Sequence, residues 1–190
     1  IWVFGLYGAL VWWVANFTHV QTGLGVAPYE IIGVILTLVL VLRTNSGYDR
    51  WYEGRKLWGG IVNQSRNLAV VGTAYGPEDA GWRSAFLRWT AAFPHLARHK
   101  LRGERDFSDL SELLTSDEID QLERAEHPPL FSSLQIARLL QSARRNEAMD
   151  GFAFMRADDQ RAQLIDHIGA CERILATPLA KVVSIKVRHF

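Results

Sequence analysis

For its first forty residues the chain shows no amphipathic period. Ile1–Phe17 and Pro28–Leu42 are apolar on every side, with a polar connector at 18–28 between them. A helix rises about 1.5 Å per residue, so roughly 20 apolar residues cross a hydrocarbon core about 30 Å thick. Both blocks fall slightly short. The first begins at the first residue, without an initiator Met, and is expected to be incomplete at that end. The second has no terminator, and tilt relaxes its length requirement. A cleaved secretory signal does not account for the first block, which has no basic n-region and no small-x-small cleavage site and is followed by a second apolar segment. Trp12, Trp13 and Asn16 form an interfacial belt, which favours two membrane helices over a buried hairpin of a soluble protein.

After Leu42 the pattern takes on a helical period and keeps it. Between Arg43 and Thr73 glycine occurs at 47, 54, 59, 60 and 72 with no proline, and one Gly costs about 1 kcal/mol against Ala, too little to stop a helix. One helix is therefore expected from about Pro28 to Thr73. Trp51, Trp58, Val62 and Ser65 recur along it, supported by Arg50–Glu53 and Glu53–Lys56 pairs at i,i+3. Arg50, Glu53 and Lys56 are accordingly expected to be structural. Pro77 with Glu78 and Asp79 opens a helix to about Lys100, with Gly103 beyond it. Thr115–Glu118 is a capping box for a short helix ending before His127-Pro128-Pro129. Helices over Leu130 to about Glu147 and Ala157 to about Ala176 complete the set, with Phe107–Leu114 and Met149–Met155 expected to be irregular. There is no strand pattern of useful length, so the fold class is all-α. The segment 178–190, LAKVVSIKVRHF with its leading proline, reads as the start of a third, truncated membrane helix.

Charge sharpens this division. Residues 1–42 contain one charged side chain, Glu30, so all 21 Lys and Arg and the other 19 of 20 Asp and Glu lie in 43–190. The connector has no Lys or Arg, whereas Arg43, Arg50, Arg55, Lys56 and Arg66 follow the second block against only Asp49 and Glu53. The positive-inside rule then puts the connector outside and residues 43–177 in the cytoplasm.

Candidate chemistry is sparse. His95 and His99 are spaced i,i+4, as two metal ligands on a helix would be, but no Glu of an H-E-x-x-H arrangement accompanies them and Arg98, Lys100 and Arg102 crowd the same end. Imidazoles at a helix C-terminus are the simpler account. His167 and Cys171 repeat the spacing, and a buried lone cysteine is the usual case there. No phosphate-binding loop or nucleophile elbow occurs, and no cofactor or catalytic residue is expected. The Arg-rich stretch Arg83–Arg105 is offset by Glu104, Asp106 and Asp109 and reads as a solvated helix end, not a nucleic-acid surface. In the second apolar block, Val34, Leu38 and Leu42 lie at i, i+4, i+8 and form one stripe. Packing against lipid or the first helix would produce such a stripe, and so would a pore wall.

The stretch RTNSGYDRWYEGRKLWGGIVNQSRNLA, Arg43–Ala69, resembles the signature after the second membrane helix of bacterial bestrophins. HVQTGLGVAPYE, HPPL at 127–130 and CERILATPLA, Cys171–Ala180, are similar to other segments of that family. The resemblance implies a homopentameric channel for small inorganic ions, chloride or monovalent cations, in the bacterial inner membrane, embedded in lipid and not an enzyme. It implies membrane helices continuing into a cytosolic helical bundle, with the second helix lining the pore. On it, Val34, Leu38 and Leu42 become an apolar neck, Glu30 an outer ring of acids, and Phe152 a lower constriction. Arg43, Asn45, Tyr48, Asp49, Arg50, Trp51, Glu53, Arg55 and Trp58 carry the exit-helix signature. The competing readings are a membrane-anchored scaffold or sensor that conducts nothing and a membrane-bound metal hydrolase using His95 and His99.

Topology is directly testable. In intact cells, Thr22→Cys is expected to react with an impermeant thiol reagent from outside and Ser84→Cys to remain unlabelled; the reverse pattern overturns the orientation.

Overall fold

A computed structural model describes residues 2–17 and 27–177; the third membrane segment expected at 178–190 and most of the connector lie outside the described residues. Six α-helices follow in order: α1 (Trp2–Phe17), α2 (Ala27–Tyr75), α3 (Ala80–Arg102), α4 (Ser116–Arg124), α5 (Pro128–Arg145) and α6 (Gly151–Ala176). A short 3-10 turn, Ser108–Leu110, precedes α4. No strand occurs among the described residues.

The chain divides into two compact units, Ile1–Asn45 and Ser46–Phe190. In the first, every side chain described is exposed, including Trp12, Trp13, Ile31, Val34 and Leu38. Soluble proteins do not leave so much contiguous apolar surface bare. Of the described helices, only α2 is long and apolar enough to cross a membrane, over its early part, and α1 is a shorter apolar helix. Helices suit that setting because every peptide group in mid-span is bonded internally. Thr37 and Thr44 donate their hydroxyls to the carbonyls of Gly33 and Leu40 at 2.8 and 2.9 Å, so these side chains are satisfied without water.

The second unit has a conventional core. Phe86, Phe93 and Leu96 of α3 pack with Ile136 and Leu140 of α5, Leu164 and Ile168 of α6, and Ile61 and Leu68 of α2. α3 lies along α5, and α5 along α6. Polar anchors set the register: Trp82 Nε1 donates to the Leu139 carbonyl at 2.8 Å and Ser132 Oγ to the Trp89 carbonyl at 3.0 Å. On α2 the buried stripe is Ile61, Ser65, Leu68 and Gly72, one face around from the stripe read from Trp51, Trp58 and Val62. The reason is aromatic: Trp51 is more than half exposed, so its bulk marks a surface and not the core.

Element boundaries follow their caps. Asp79 accepts from Gly81 N and starts α3, while Gly103, in the left-handed region at φ 70, ends it. The Thr115–Glu118 capping box is present in full. α5 begins earlier than expected, at Pro128, because His127 Nδ1 accepts from Leu130 N at 3.2 Å and proline suits the first turn. Met149–Met155 is not irregular throughout: α6 begins at Gly151, where Asp150 accepts from Phe152 N and Ala153 N. The glycine there costs too little to displace so strong a cap.

The Arg83–Arg105 stretch is not simply a solvated helix end. Arg88 pairs with Glu118 at 2.9 Å, Arg98 with Asp109 at 2.6 Å, and Arg105 donates to the carbonyls of Glu123 and Ala125. Arg88 and Arg98 fasten the 103–125 segment onto α3, and Arg105 ties the two ends of that segment together.

Close helix approach gives the stability test for this unit. A methyl group on Gly72 would fall within the ring of Phe86, itself stacked on Trp82 with 4.9 Å between centroids. Gly72→Ala is expected to lower unfolding free energy by about 1–3 kcal/mol, through forced repacking. Gly169→Ala, with open space around the new methyl, should be neutral or stabilising by up to about 1 kcal/mol. Thermal denaturation followed by circular dichroism checks both.

Candidate functional site

The apolar part of α2 carries the residues expected to matter most. Glu30, in its first turn, is exposed, and Val34, Leu38 and Leu42 are each more than half exposed. A shallow groove along this face is lined by Glu30, Gly33, Val34, Thr37, Leu38 and Val41. The groove takes in Glu30, Val34 and Leu38 and, further along, Val41; Leu42, the next residue, is exposed as well. Apart from Glu30 the wall is apolar, with the Thr37 hydroxyl donated to the Gly33 carbonyl.

Beyond the apolar part, the exit-helix signature separates by face. Tyr48 stacks on Tyr52 with centroids 6.1 Å apart and lies 5.8 Å from Trp51, while the Arg55 guanidinium sits 5.5 Å over the Trp51 ring. A cation over an indole face is attracted by the ring quadrupole. Asn45 and Asp49 are exposed, and Arg43 belongs to the first unit.

Arg50 turns inward. Its two terminal nitrogens donate to the carbonyls of Ile174 and Thr177, at the C-terminal end of α6. The last carbonyls of a helix have no amide partner within it, and a planar guanidinium can serve two of them at once. Glu53 is drawn the same way, to Arg173 at 3.8 Å. The i,i+3 pairs Arg50–Glu53 and Glu53–Lys56 are therefore not formed; the packing of α6 against α2 supplies both residues with better-placed partners. Lys56 is exposed and is not held in any ion pair among the described residues. Trp58, beside Gly54, Leu101, Cys171 and Leu175, completes a small apolar recess under Arg50.

Neither histidine pair forms a ligand set. His99 is buried, with Nε2 2.9 Å from Asp109 Oδ1 and Nδ1 3.3 Å from Glu104 without hydrogen-bond alignment. His95 Nδ1 lies 3.8 Å from Asp109 Oδ2, the same oxygen that takes Arg98. Burial alone would raise the Asp109 carboxyl, but hydrogen bonds from His99 and Arg98 outweigh it and hold the group below the usual carboxylate range. With Arg98 on that carboxylate, the cluster is an ion pair closing the end of α3. His167 lies against Gly60, where an added methyl would come 2.6 Å from Nε2, so it serves helix packing. Cys171 is buried, and desolvation pushes its thiol pKa up, away from nucleophilic use. No group of three or more metal-binding side chains occurs among the described residues. Phe152, in the first turn of α6, is 87% exposed beside Val71, Tyr75 and Arg156.

Comparison with known proteins follows from this geometry. The sequence model of the family described as Bacterial/Fungal Bestrophin protein matches residues 1–188. A Nostoc protein named as a voltage-dependent anion channel-forming protein is 34% identical over 84% of this chain and 53% of its own length. A Mesorhizobium japonicum protein of the same name is 31% identical over 98% of this chain and 60% of its own. The chain thus spans little more than half the length of these relatives. A crystal structure of a bacterial bestrophin homolog from Klebsiella pneumoniae superposes with a TM-score of 0.81 at 21% identity, covering 93% of this chain and 65% of that one.

The Arg50 clamp yields a specific expectation. Arg50→Met leaves two helix-end carbonyls unpaired and should lower unfolding free energy by about 2 kcal/mol, the range of charge-assisted hydrogen bonds. Arg50→Lys should recover less than about half, since one ammonium does not reproduce the two-pronged fork. Chemical denaturation of the three proteins checks this; equal stabilities would show that solvent replaces the clamp.

Proposed function

The chain belongs to the bacterial/fungal bestrophin family, and from that membership we propose that it forms a homopentameric ion channel of the bacterial inner membrane, not an enzyme. α2 is the pore helix. The observation that supports this most directly is the exposed groove of Glu30, Val34, Leu38 and Val41 on an apolar helix that nothing else in its unit covers. Four of the six lining residues have aliphatic or no side chains, and the one hydroxyl is internally bonded. Such a wall lets a small ion pass without binding it.

In five copies, Val34, Leu38 and the Val41/Leu42 level make stacked apolar rings, the neck. They offer no polar atom to replace an ion's hydration shell, so conduction needs either a passage wide enough for a hydrated ion or rings that part. Glu30 makes a ring of acids at the outer mouth, which concentrates cations there. The names of the relatives speak of anion channels, so the ions carried are chloride or monovalent cations, with the balance set by charges elsewhere on the path. Phe152 is the proposed second constriction at the cytosolic end, and the bulk of the chain is cytoplasmic.

Planar-bilayer recordings of the complete channel test the neck. Leu38→Ala widens the middle ring and is expected to raise conductance or open probability by a factor of about 2 or more, by lowering the dewetting barrier. Leu36→Ala, on the other side of the helix, should leave both unchanged. In the same recordings Glu30→Gln should shift the reversal potential in a salt gradient towards anion preference, and less so at high salt. Unaltered currents from Leu38→Ala in assembled pentamers would put the pore on another face.

A further inference from the structure

We infer that Lys56 and Arg66 line the cytosolic continuation of the conduction path and concentrate small inorganic anions there, which makes them selectivity-determining residues. This rests on the reading of α2 as the pore helix.

The packed side of α2 in the second unit is known from burial: Ile61, Ser65, Leu68 and Gly72. At about 100° per residue, the opposite side carries Tyr52, Lys56, Asn63, Arg66 and Val70, and all five are exposed. On the reading of α2 as the pore helix, this unpacked side is the one left to face the axis in the second unit, and it presents Tyr52, Lys56, Asn63, Arg66 and Val70 there.

The charges on that side are unbalanced. Lys56 and Arg66 are exposed and hold no hydrogen bond or ion pair among the described residues. The same side carries one acid, Asp49, also exposed. Glu53 is turned towards Arg173, and Arg55 lies over Trp51. Each chain therefore contributes two mobile cations against one carboxylate. Five copies give two rings of positive charge about 15 Å apart along the axis, from ten residues of helix rise. Like charges around a water-filled passage between low-dielectric walls add, and raise the local concentration of their counter-ions. Long, solvated side chains do this without binding the ion tightly, so anions are attracted and still released. The acid ring at Glu30 and the basic rings below it thereby oppose each other, and net selectivity is their difference.

The experiment measures the chloride-to-potassium permeability ratio of the complete channel in planar bilayers under a KCl gradient. It is run at about 0.01 M ionic strength, where the Debye length is about 30 Å, and again near 1 M, where it is about 3 Å. The double variant Lys56→Gln, Arg66→Gln is expected to lower the ratio by about threefold or more at low salt, with most of the change lost at high salt, as screening requires. Asp49→Asn should move the ratio the other way, which guards against a mere folding defect. A ratio unmoved by the double variant, in channels whose conductance still responds to Leu38→Ala, overturns this inference and leaves the pore reading intact. No current from assembled wild-type pentamers overturns both.

Discussion

An α-helix satisfies its own peptide groups whatever solvent surrounds it, and α2 depends on that property throughout its 49 residues. It continues as α-helix from an apolar run into Arg43 and the alternating charges that follow, because the backbone has nothing to renegotiate at the boundary. Only the side chains register the change. From Tyr29 to Asn45 none is buried; from Ile61 onward one side of the helix becomes part of a core. The exposed apolar part requires lipid or other copies of the chain as its cover, and this demand organises everything else proposed for the molecule.

The second requirement is that so long a helix be held firmly in its C-terminal part. Small residues achieve the approach: Gly60 admits the His167 ring and Gly72 the Phe86 ring. Amides then hold the alignment, Gln64 to Gln163 at 2.6 Å and Asn67 to Gln160 at 3.2 Å. Arg50 closes the arrangement by supplying donors to the end of α6, where the backbone has run out of its own. A charged residue near the membrane exit thus has a structural use, and charge on α2 divides by face into cations that pack and cations that remain in water.

That division bears on permeation. An apolar neck discriminates poorly between anions and cations, since it interacts with neither, so selectivity has to come from fixed charges at the entrances. On the proposed reading, α2 supplies an acid, Glu30, at one entrance and bases, Lys56 and Arg66, toward the other.

Much of this was legible in the sequence. Hydropathy marks the apolar runs and Thr115–Glu118 the start of α4, because these signals act through neighbours within a few residues. The stripe of Val34, Leu38 and Leu42 was legible from helical spacing, which is local in the same way. The partners of Arg50 were not, since Ile174 lies 124 residues away and only packing brings it near. The His99–Asp109 pair and the early start of α6 at Asp150 were also missed, the first because a helix-end cluster reads as solvated and the second because glycine and methionine obscure a strong cap. Sequence alone determined which segments are helical and which solvent each prefers, because both follow from local composition; the tertiary structure decided which charges are spent on packing and which stay free, because that depends on residues far apart in the chain meeting at a distance of a few ångströms.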